Sequence, residues 1–230
     1  VKCSIKLDGG NVFTDMFPVS VGLKQGCKIS PTLFNIYIND LATELNSVGK
    51  GIKVGDECVS LLMYAEDIIL MSNTARGLQS LLDCLDNWCR KWNMHINENK
   101  TKVVHFRKKR MKLTNFPFRC GEKYIGITNE YKYLGLWLNE FLDMEKAAKV
   151  VAKSATRALG AIIVKFKSLG GISYKCFQKL YQSSVEPILR YAAGVRGTKE
   201  YRFINTVQNK AARFILGVQK TAPNLAIRGD

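Results

Sequence analysis

The spacing of apolar residues along this chain begins with a strand-like period. Residues 2–7 alternate polar and apolar side chains, Asp8, Gly9 and Gly10 follow, and residues 12–21 are again rich in apolar side chains. This succession predicts an opening β-hairpin. A helix is then predicted, with Ser30 as its cap and Pro31 at its first position. Its predicted buried face consists of Leu33, Phe34, Tyr37, Ile38, Leu41 and Leu45.

Short apolar runs follow this helix. Strands are predicted at residues 52–54, 58–63 and 68–71. Residues 64–67 form the bend between the last two strands, and the bend carries two carboxylates. Thr74 is a predicted cap for a second helix. A wide apolar stripe predicts that this helix lies against a sheet: Leu78, Leu81, Leu82, Leu85, Trp88, Cys89 and Trp92.

The remaining pattern changes from strands to helices. Residues 94–106 are predicted to pass from a polar loop into a strand, and residues 124–138 to form two short strands separated at Asn129 and Glu130. Helices are predicted at residues 144–166, 173–193 and 199–216. The fold class is therefore α+β, an antiparallel sheet packed on helices and followed by a helical part.

Charge is distributed unevenly between these two parts. Residues 1–98 hold 9 Lys and Arg against 11 Asp and Glu, whereas the rest of the chain holds 26 against 8. Residues 99–121 contain eight basic side chains and no acidic one. Such a run suits a polyanion such as a nucleic-acid backbone, and the alternative is an ordinary solvated charge run.

Composition excludes several classes of protein. With 47% hydrophobic residues, a chain of 230 residues can bury a core and is not expected to be disordered. Seven scattered cysteines without a Cys-x-x-Cys pair argue against a disulfide framework and a zinc module. Most of them are expected to be buried small side chains. The protein is expected in a reducing, intracellular compartment, the cytoplasm or the nucleus. His95 and His105 are expected to be packing or surface residues.

Membrane spans are not expected, because charges interrupt the apolar stretches. Residues 150–166, for example, contain Lys153, Arg157 and Lys165. The chain begins with Val1 rather than Met and ends at Asp230 without a helix stop signal. These two ends predict a fragment of a longer protein.

Glu66 and Asp67 are the first candidates for chemistry. Adjacent carboxylates on a tight bend repel each other and are tolerated where a divalent cation neutralises them. An acidic pair in a turn is also common without any function. Three further segments favour the metal-site interpretation over an ordinary turn: GLKQGCKISPTLFNIYINDL at 22–41, INENKTK at 96–102 and YKYLGLWL at 131–138.

The order and spacing of these segments resemble the palm motifs B to E of reverse transcriptases, specifically those of non-LTR retrotransposons. Residues 211–226 also resemble the segment after the thumb in such elements. The resemblance implies a right-hand polymerase palm at 1–140, a helical thumb at 141–197 and a helical connector at 198–230. The fingers and the first palm strand would be missing. The implied reaction is RNA-directed DNA synthesis by two-metal phosphoryl transfer with Mg²⁺ or Mn²⁺. The implied partners are an RNA template, a DNA primer and deoxynucleotides.

The resemblance also implies roles for individual residues. Gln25, Gly26 and Tyr64 would lie where the incoming nucleotide and the template meet the palm. Asp67 matches the second acidic position of the Tyr-Ala-Asp-Asp bend, and Glu66 replaces the first. Both would be metal ligands.

Further roles come from the two downstream motifs. Lys100 would protonate the leaving pyrophosphate, or else be a solvated lysine. A hairpin that grips the primer would include Tyr133, Leu134 and Gly135, with a plain core strand as the alternative. Contacts to the nucleic-acid backbone are predicted for Lys102, Arg107, Lys108, Lys109 and Arg110.

The chain departs from the family pattern in ways that bear on activity. A third carboxylate is expected from a strand that precedes Val1, and neither Asp8 nor Asp15 matches it. Glu66 is one methylene longer than aspartate, and a misplacement of about 1 Å can cost roughly 100-fold in rate. Lys28 and Arg196 also differ from the family's usual residues. We expect weak metal binding and an inactive isolated chain. The alternative function is a nucleic-acid-binding remnant or a domesticated RNA-binding module.

Overall fold

A computed structural model describes residues 2–4, 13–18, 22–24, 26–171, 173–197 and 199–228. The chain forms two compact units. The first unit comprises Val1–Thr101 and Asn115–Ile125, and the second comprises Lys102–Thr114 and Gly126–Asp230. The predicted functional boundaries at residues 140 and 197 are a separate matter and stay predictions.

The first unit combines short hairpins with two long helices. In chain order its elements are β1 (Lys2–Cys3), β2 (Phe17–Pro18), α1 (Ser30–Ser47), β3 (Ile52–Val54), β4 (Glu57–Val59), β5 (Leu61–Tyr64), β6 (Asp67–Leu70), α2 (Ala75–Lys91), β7 (Arg119–Cys120) and β8 (Lys123–Tyr124). Each strand pairs with its neighbour in sequence to form an antiparallel two-stranded sheet: β1 with β2, β3 with β4, β5 with β6, and β7 with β8. The β1–β2 pair agrees with the predicted opening hairpin, whose turn at residues 8–10 lies outside the described residues.

The second unit is mainly helical. Its elements are β9 (Glu130–Tyr133), β10 (Leu136–Asn139), α3 (Glu145–Ser168), α4 (Tyr174–Ser184), α5 (Glu186–Arg190), α6 (Ala193–Arg196), α7 (Arg202–Leu216) and α8 (Asn224–Arg228). The hairpin β9–β10 is antiparallel. The mixture of helices and small antiparallel sheets agrees with the predicted α+β class. The described part of the chain contains no helix long and apolar enough to cross a membrane.

Each unit has its own apolar core. In the first unit, α1 and α2 pack through Ile38, Leu41, Leu45, Leu81, Leu85, Trp88 and Cys89. The Trp88 indole donates to Asp40 Oδ1 at 3.0 Å, so the buried polar nitrogen is satisfied. In the second unit, α3 packs with α4, α5 and α7 through Val151, Ala152, Ala155, Leu159, Ile162, Phe177, Val185, Leu189, Val207 and Ala211.

The two long helices of the first unit differ in how well the sequence predicts them. Thr74 caps α2 as predicted, because its hydroxyl accepts from the Gly77 amide at 3.0 Å. Ile29, not Ser30, is the N-cap of α1, and the Ser30 hydroxyl instead donates to the Lys24 carbonyl at 2.8 Å. Leu33 is 48% exposed, so the predicted buried face is wrong at its first position.

Several predicted strands and helices have different limits in the structure. The strand predicted at 58–63 is interrupted at Ser60, whose buried hydroxyl donates to Asn46 Oδ1 at 2.7 Å. The strand predicted within 94–106 is reduced to a single bridge, Val103 with Ile127. The strands within 124–138 separate at Leu134 and Gly135 instead of Asn129 and Glu130.

The helix predicted at 173–193 is also divided. It ends after Ser184, and α5 begins at Glu186 with Pro187 in its first turn. A proline cannot continue a helix hydrogen-bond ladder, which explains the interruption. The prediction that most cysteines are buried is wrong for the described side chains: Cys89 and Cys120 are buried, Cys84 is half-buried, and Cys27, Cys58 and Cys176 are exposed.

Candidate functional site

The predicted acidic bend is a tight hairpin turn. Tyr64, the last residue of β5, pairs with Asp67, the first residue of β6, and Ala65 and Glu66 form the turn between them. Ala65 has φ 51°, in the left-handed region that a residue with a Cβ seldom adopts. The hairpin is anchored from behind, since Leu61, Met63, Ile68 and Leu70 pack against the α1–α2 core.

All four residues of this turn are exposed, and Tyr64 is exposed over 66% of its surface. The strand alternation that buries Met63 and Ile68 leaves the Tyr64 and Asp67 side chains facing solvent. The turn therefore presents Tyr64, Glu66 and Asp67 to an approaching ligand. The sequence predicted this arrangement.

The donor set at the turn fits one divalent ion and not two. Mg²⁺ is usually held by one or two carboxylates together with waters and substrate phosphates, which Glu66 and Asp67 match. A centre for two ions needs further ligands. Within the described ranges, no group of three or more His, Cys, Asp and Glu side chains is arranged to hold a metal.

The loop before α1 is shaped by hydrogen bonds to its own backbone. The Cys27 amide donates to the Lys24 carbonyl at 3.3 Å, alongside the Ser30 hydroxyl at 2.8 Å. Gly26 has φ 78°, which a residue with a Cβ would adopt only under strain. Hydrogen bonds from the Ile29 amide and from Ser30 hold the pKa of the exposed Cys27 thiol below its ordinary value. Gln25, the predicted neighbour in nucleotide binding, lies outside the described residues.

Lys100 lies in a compact turn started by Asn97. The Lys100 amide donates to Asn97 Oδ1 at 3.2 Å and to the Asn97 carbonyl at 3.1 Å. The Thr101 amide and hydroxyl both donate to the same carbonyl at 2.9 Å. The turn thus fixes the backbone from which the exposed Lys100 side chain extends.

The predicted primer grip is the turn of the β9–β10 hairpin. Tyr133 pairs with Leu136, and Leu134 and Gly135 form the turn with φ 44° and 83°. Positive φ at both turn residues is the geometry that matches the twist of a two-residue hairpin, although the first position favours Asn, Asp or Gly. The Tyr191 hydroxyl donates to the Leu134 carbonyl.

A basic loop, residues 105–114, lies in the second unit. The Thr114 amide donates to His105 Nδ1 at 3.1 Å and closes its two ends. The side chains of Lys108, Lys109, Arg110 and Lys112 are exposed on it, and Lys102 is exposed just before it. Phe106 and Met111 are exposed among them, a combination of cations and apolar surface that suits a nucleic-acid strand.

Arg107 differs from its basic neighbours. Its Nη2 contacts Glu140 Oε2 at 2.8 Å, with only 13% and 10% of the two side chains exposed, and its Nη1 donates to the Met111 carbonyl at 2.7 Å. The guanidinium also lies 4.9 Å from the centre of the Phe141 ring. The structure thus shows Arg107 supporting the basic loop from within, and its predicted contact to the nucleic-acid backbone stays a prediction.

Comparison with known proteins explains this set of features. The family model of the reverse transcriptase (RNA-dependent DNA polymerase) matches residues 7–138, more than half of the chain. The chain belongs to the reverse transcriptase family. The matched range contains the acidic turn, Lys100, the basic loop and the β9–β10 turn.

Several curated relatives of this chain come from mobile elements. The chain is 24% identical over 209 residues to the RNA-directed DNA polymerase from mobile element jockey of Drosophila melanogaster, covering 87% of this chain and 22% of that protein. It is 25% identical over 219 residues to the probable RNA-directed DNA polymerase from transposon X-element of the same organism, covering 92% and 23%. A retrovirus-related Pol polyprotein from element R2DM of the same organism is 31% identical over 137 residues, covering 56% and 13%.

These relatives confirm the predicted non-LTR retrotransposon reverse transcriptase. The chain spans about a fifth of the length of the first curated relatives it matches. Sequence inspection missed two contacts in this reverse transcriptase chain. Glu140 contacts Arg107 from 33 residues away, and Tyr191 contacts Leu134 from 57 residues away. Contacts between residues so far apart leave no local pattern in the sequence.

Proposed function

We propose that this chain carries the catalytic turn, the primer grip and the thumb of an RNA-directed DNA polymerase. The reaction is the addition of deoxynucleotides to a DNA primer on an RNA template. One observation carries the proposal: within a chain of this family, the Tyr64 to Asp67 turn presents two exposed carboxylates on a hairpin anchored to the α1–α2 core. Within the described residues no third acidic, His or Cys ligand joins Glu66 and Asp67, so we expect the chain alone to be a weak polymerase.

Asp67 and Glu66 contribute unequally to the proposed metal site at the turn. Asp67 belongs to β6, so the β5–β6 pairing fixes its backbone, whereas Glu66 lies in the turn itself and has a longer side chain. Together they would hold one Mg²⁺ or Mn²⁺, which when bound steadies negative charge on the phosphates. Their exposure leaves the triphosphate of a nucleotide free to approach. Asp67 is therefore the residue whose loss costs most.

Proton transfer and strand binding are assigned to other residues. Lys100 acts as the general acid, and its ammonium gives a proton to the oxygen of the leaving pyrophosphate. Gln25 and Gly26 are the proposed contacts for the nucleotide and the template. The basic loop and Lys102 bind phosphates of the nucleic-acid backbone, which positions a strand without selecting its sequence.

A primer-extension assay on a primed RNA template tests this function. Glu66→Asp restores the shorter carboxylate, and with Mn²⁺ we expect at least tenfold more product than from the unaltered chain. Adding Asp67→Asn to Glu66→Asp should remove that product. Lys53→Gln, an exposed change on β3, is the matched control and should leave it unchanged. Extension by Glu66→Asp that survives Asp67→Asn would contradict the proposal.

Binding without turnover is the second candidate function. It is favoured by one observation, the concentration of the net charge of +16 in the second unit, which holds 23 Lys and Arg against 7 Asp and Glu. If no variant extends a primer while all of them bind RNA with equal affinity, this candidate replaces the first.

A further inference from the structure

Tyr191, the residue that follows α5, contacts the tip of the β9–β10 hairpin. Its hydroxyl donates to the Leu134 carbonyl. Its ring lies against Gly135, where a Cβ would stand 3.3 Å from the hydroxyl oxygen and 3.6 Å from Cε1. The two residues of the turn are thus contacted by one side chain that lies 57 positions from Leu134 in sequence.

The backbone that presents Tyr191 is itself held in place. Tyr191 follows α5 and has φ −56° and ψ 125°, and Ala192 turns the chain sharply with φ 51° and ψ 30°. Arg196 is only 2% exposed, and its Nη2 donates to the carbonyls of Leu189 at 2.8 Å and of Tyr191 at 2.6 Å. Its Nε donates to the Tyr191 carbonyl at 3.1 Å. The guanidinium satisfies carbonyls at the end of a helix, where a cation is favoured.

Two of the backbone positions in this arrangement are unfavourable for their residues. Leu134 and Ala192 both have positive φ without being glycine. Such positions are strained and persist only where surrounding contacts enforce them. The Tyr191 hydroxyl and the Arg196 guanidinium are the contacts that do so here. This is more structure than a surface hairpin needs for stability alone.

We propose that Tyr191, fixed by Arg196, is a positioning residue for the proposed primer grip. The contact lies at the surface, with 47% of Tyr191 and 37% of Leu134 exposed, so little apolar area is buried by it. What it supplies is the orientation of the Leu134 to Gly135 turn toward a primer strand. The inference rests on the proposed function, because it assumes that this hairpin binds the primer.

Tyr191→Phe is the first test, because it removes the hydroxyl and keeps the ring against Gly135. Loss of one hydrogen bond of ordinary strength should speed amide exchange at residues 134–136 by roughly fivefold. It should also lower the preference of the chain for a primed RNA template with a recessed 3′ end over a blunt duplex by a similar factor. Affinity for unprimed single-stranded RNA should stay the same. Tyr174→Phe, an exposed tyrosine of α4, is the matched control and should change none of these.

Gly135→Ala is the second variant, since the added Cβ approaches the Tyr191 hydroxyl and a positive φ becomes strained. It should reduce the same preference, and the double variant Gly135→Ala with Tyr191→Phe should lose less than the sum of the two. Unchanged amide exchange in Tyr191→Phe overturns the inference even where the unaltered chain prefers the recessed end. An unaltered chain without that preference instead defeats the primer-grip function on which the inference rests.

Discussion

The two compact units of this reverse transcriptase chain differ most in charge. The first unit holds 12 Lys and Arg and 12 Asp and Glu, and is electrically balanced. The second unit holds 23 against 7 and accounts for the whole net charge of +16. The proposed polymerase function requires a surface that holds a polyanion and carboxylates that stay available to phosphates. The basic loop and the acidic turn, which are proposed to serve these two needs, lie in different units.

The units also differ in how they are built. The first unit supports its turn on short hairpins laid against two helices, so the functional residues are exposed while their neighbours along the strands are packed. The second unit packs helices through alanine and leucine, and supports its basic loop with a buried ion pair. Charge on an exposed loop repels itself, and an internal carboxylate such as Glu140 offsets part of that repulsion. The comparison can be challenged by four measurements.

Glu140→Ala should have the largest effect. It leaves the Arg107 guanidinium in a mostly buried position without its carboxylate, and breaking such a pair costs about 3 to 5 kcal/mol of unfolding free energy. Urea denaturation followed by circular dichroism measures the loss. Glu145→Ala is the control, because its partner Lys149 is exposed and such a pair contributes about 0.3 to 0.5 kcal/mol. Equal losses in the two variants would show that the basic loop is not supported from within.

Neutralising the basic loop should come next. The triple variant Lys108→Gln, Lys109→Gln, Arg110→Gln should lower the slope of log affinity against log salt by about 2 to 3, and affinity near 0.1 M salt roughly 100-fold. Fluorescence anisotropy with a labelled RNA oligonucleotide measures both. The control triple lies on the first unit and removes the same charge: Lys50→Gln, Lys53→Gln and Arg76→Gln. Similar losses from both triples would mean that the second unit has no special part in binding.

Local signals in the sequence predicted the acidic turn and α2 well. Thr74, the apolar stripe of α2 and the order of the motifs are all contained in short windows. The sequence also contains two local signals that indicate the correct limits of predicted elements. Pro187 marks the break between α4 and α5, and Gly135 marks the turn between β9 and β10.

Other features depend on contacts between distant residues. The sequence predicted only a nucleic-acid backbone contact for Arg107, whereas the structure adds an ion pair with Glu140, 33 positions away. The Tyr191 contact with Leu134 is more distant still. Neither Glu140 nor Tyr191 lies in a sequence pattern that predicts its contact. An acidic residue after a strand and a tyrosine after a short helix are both common. Only the folded chain shows which of eight basic residues between 99 and 121 is withdrawn from solvent.

Alkylation of the cysteines should show a smaller difference. Hydrogen bonds from Ile29 and Ser30 lower the pKa of the Cys27 thiol, so more of it is thiolate at neutral pH than in an ordinary exposed cysteine. Burial, with Asp86 and other acids, raises the pKa of Cys120 to about 11 and opposes its reaction. Iodoacetamide with mass spectrometry should find Cys27 modified first, with an advantage that shrinks as pH rises. Cys27 slower than Cys58 would contradict this order.

Cys27 also follows Gly26, where the template is proposed to lie. A primed RNA template should therefore slow the alkylation of Cys27 more than that of Cys58, which is exposed on the same unit. Cys176, on the second unit, gives a further reference for protection by the basic surface. Equal protection of Cys27 and Cys58 would place the template elsewhere on the first unit.

Ala65→Gly should have the smallest effect. It should raise the free energy of unfolding, whereas Glu140→Ala lowers it. Ala65 has φ 51°, a conformation that costs an L-residue about 1 to 2 kcal/mol, whereas glycine adopts it freely and loses about 0.5 to 1 kcal/mol in backbone entropy. The net gain in unfolding free energy is about 0.5 to 1 kcal/mol. Ala161→Gly, exposed within α3 of the second unit, should instead lose about 1 kcal/mol. A loss in both variants would mean that contacts of the Ala65 methyl group outweigh the strain, and that the acidic turn is held by packing like the helices of the second unit.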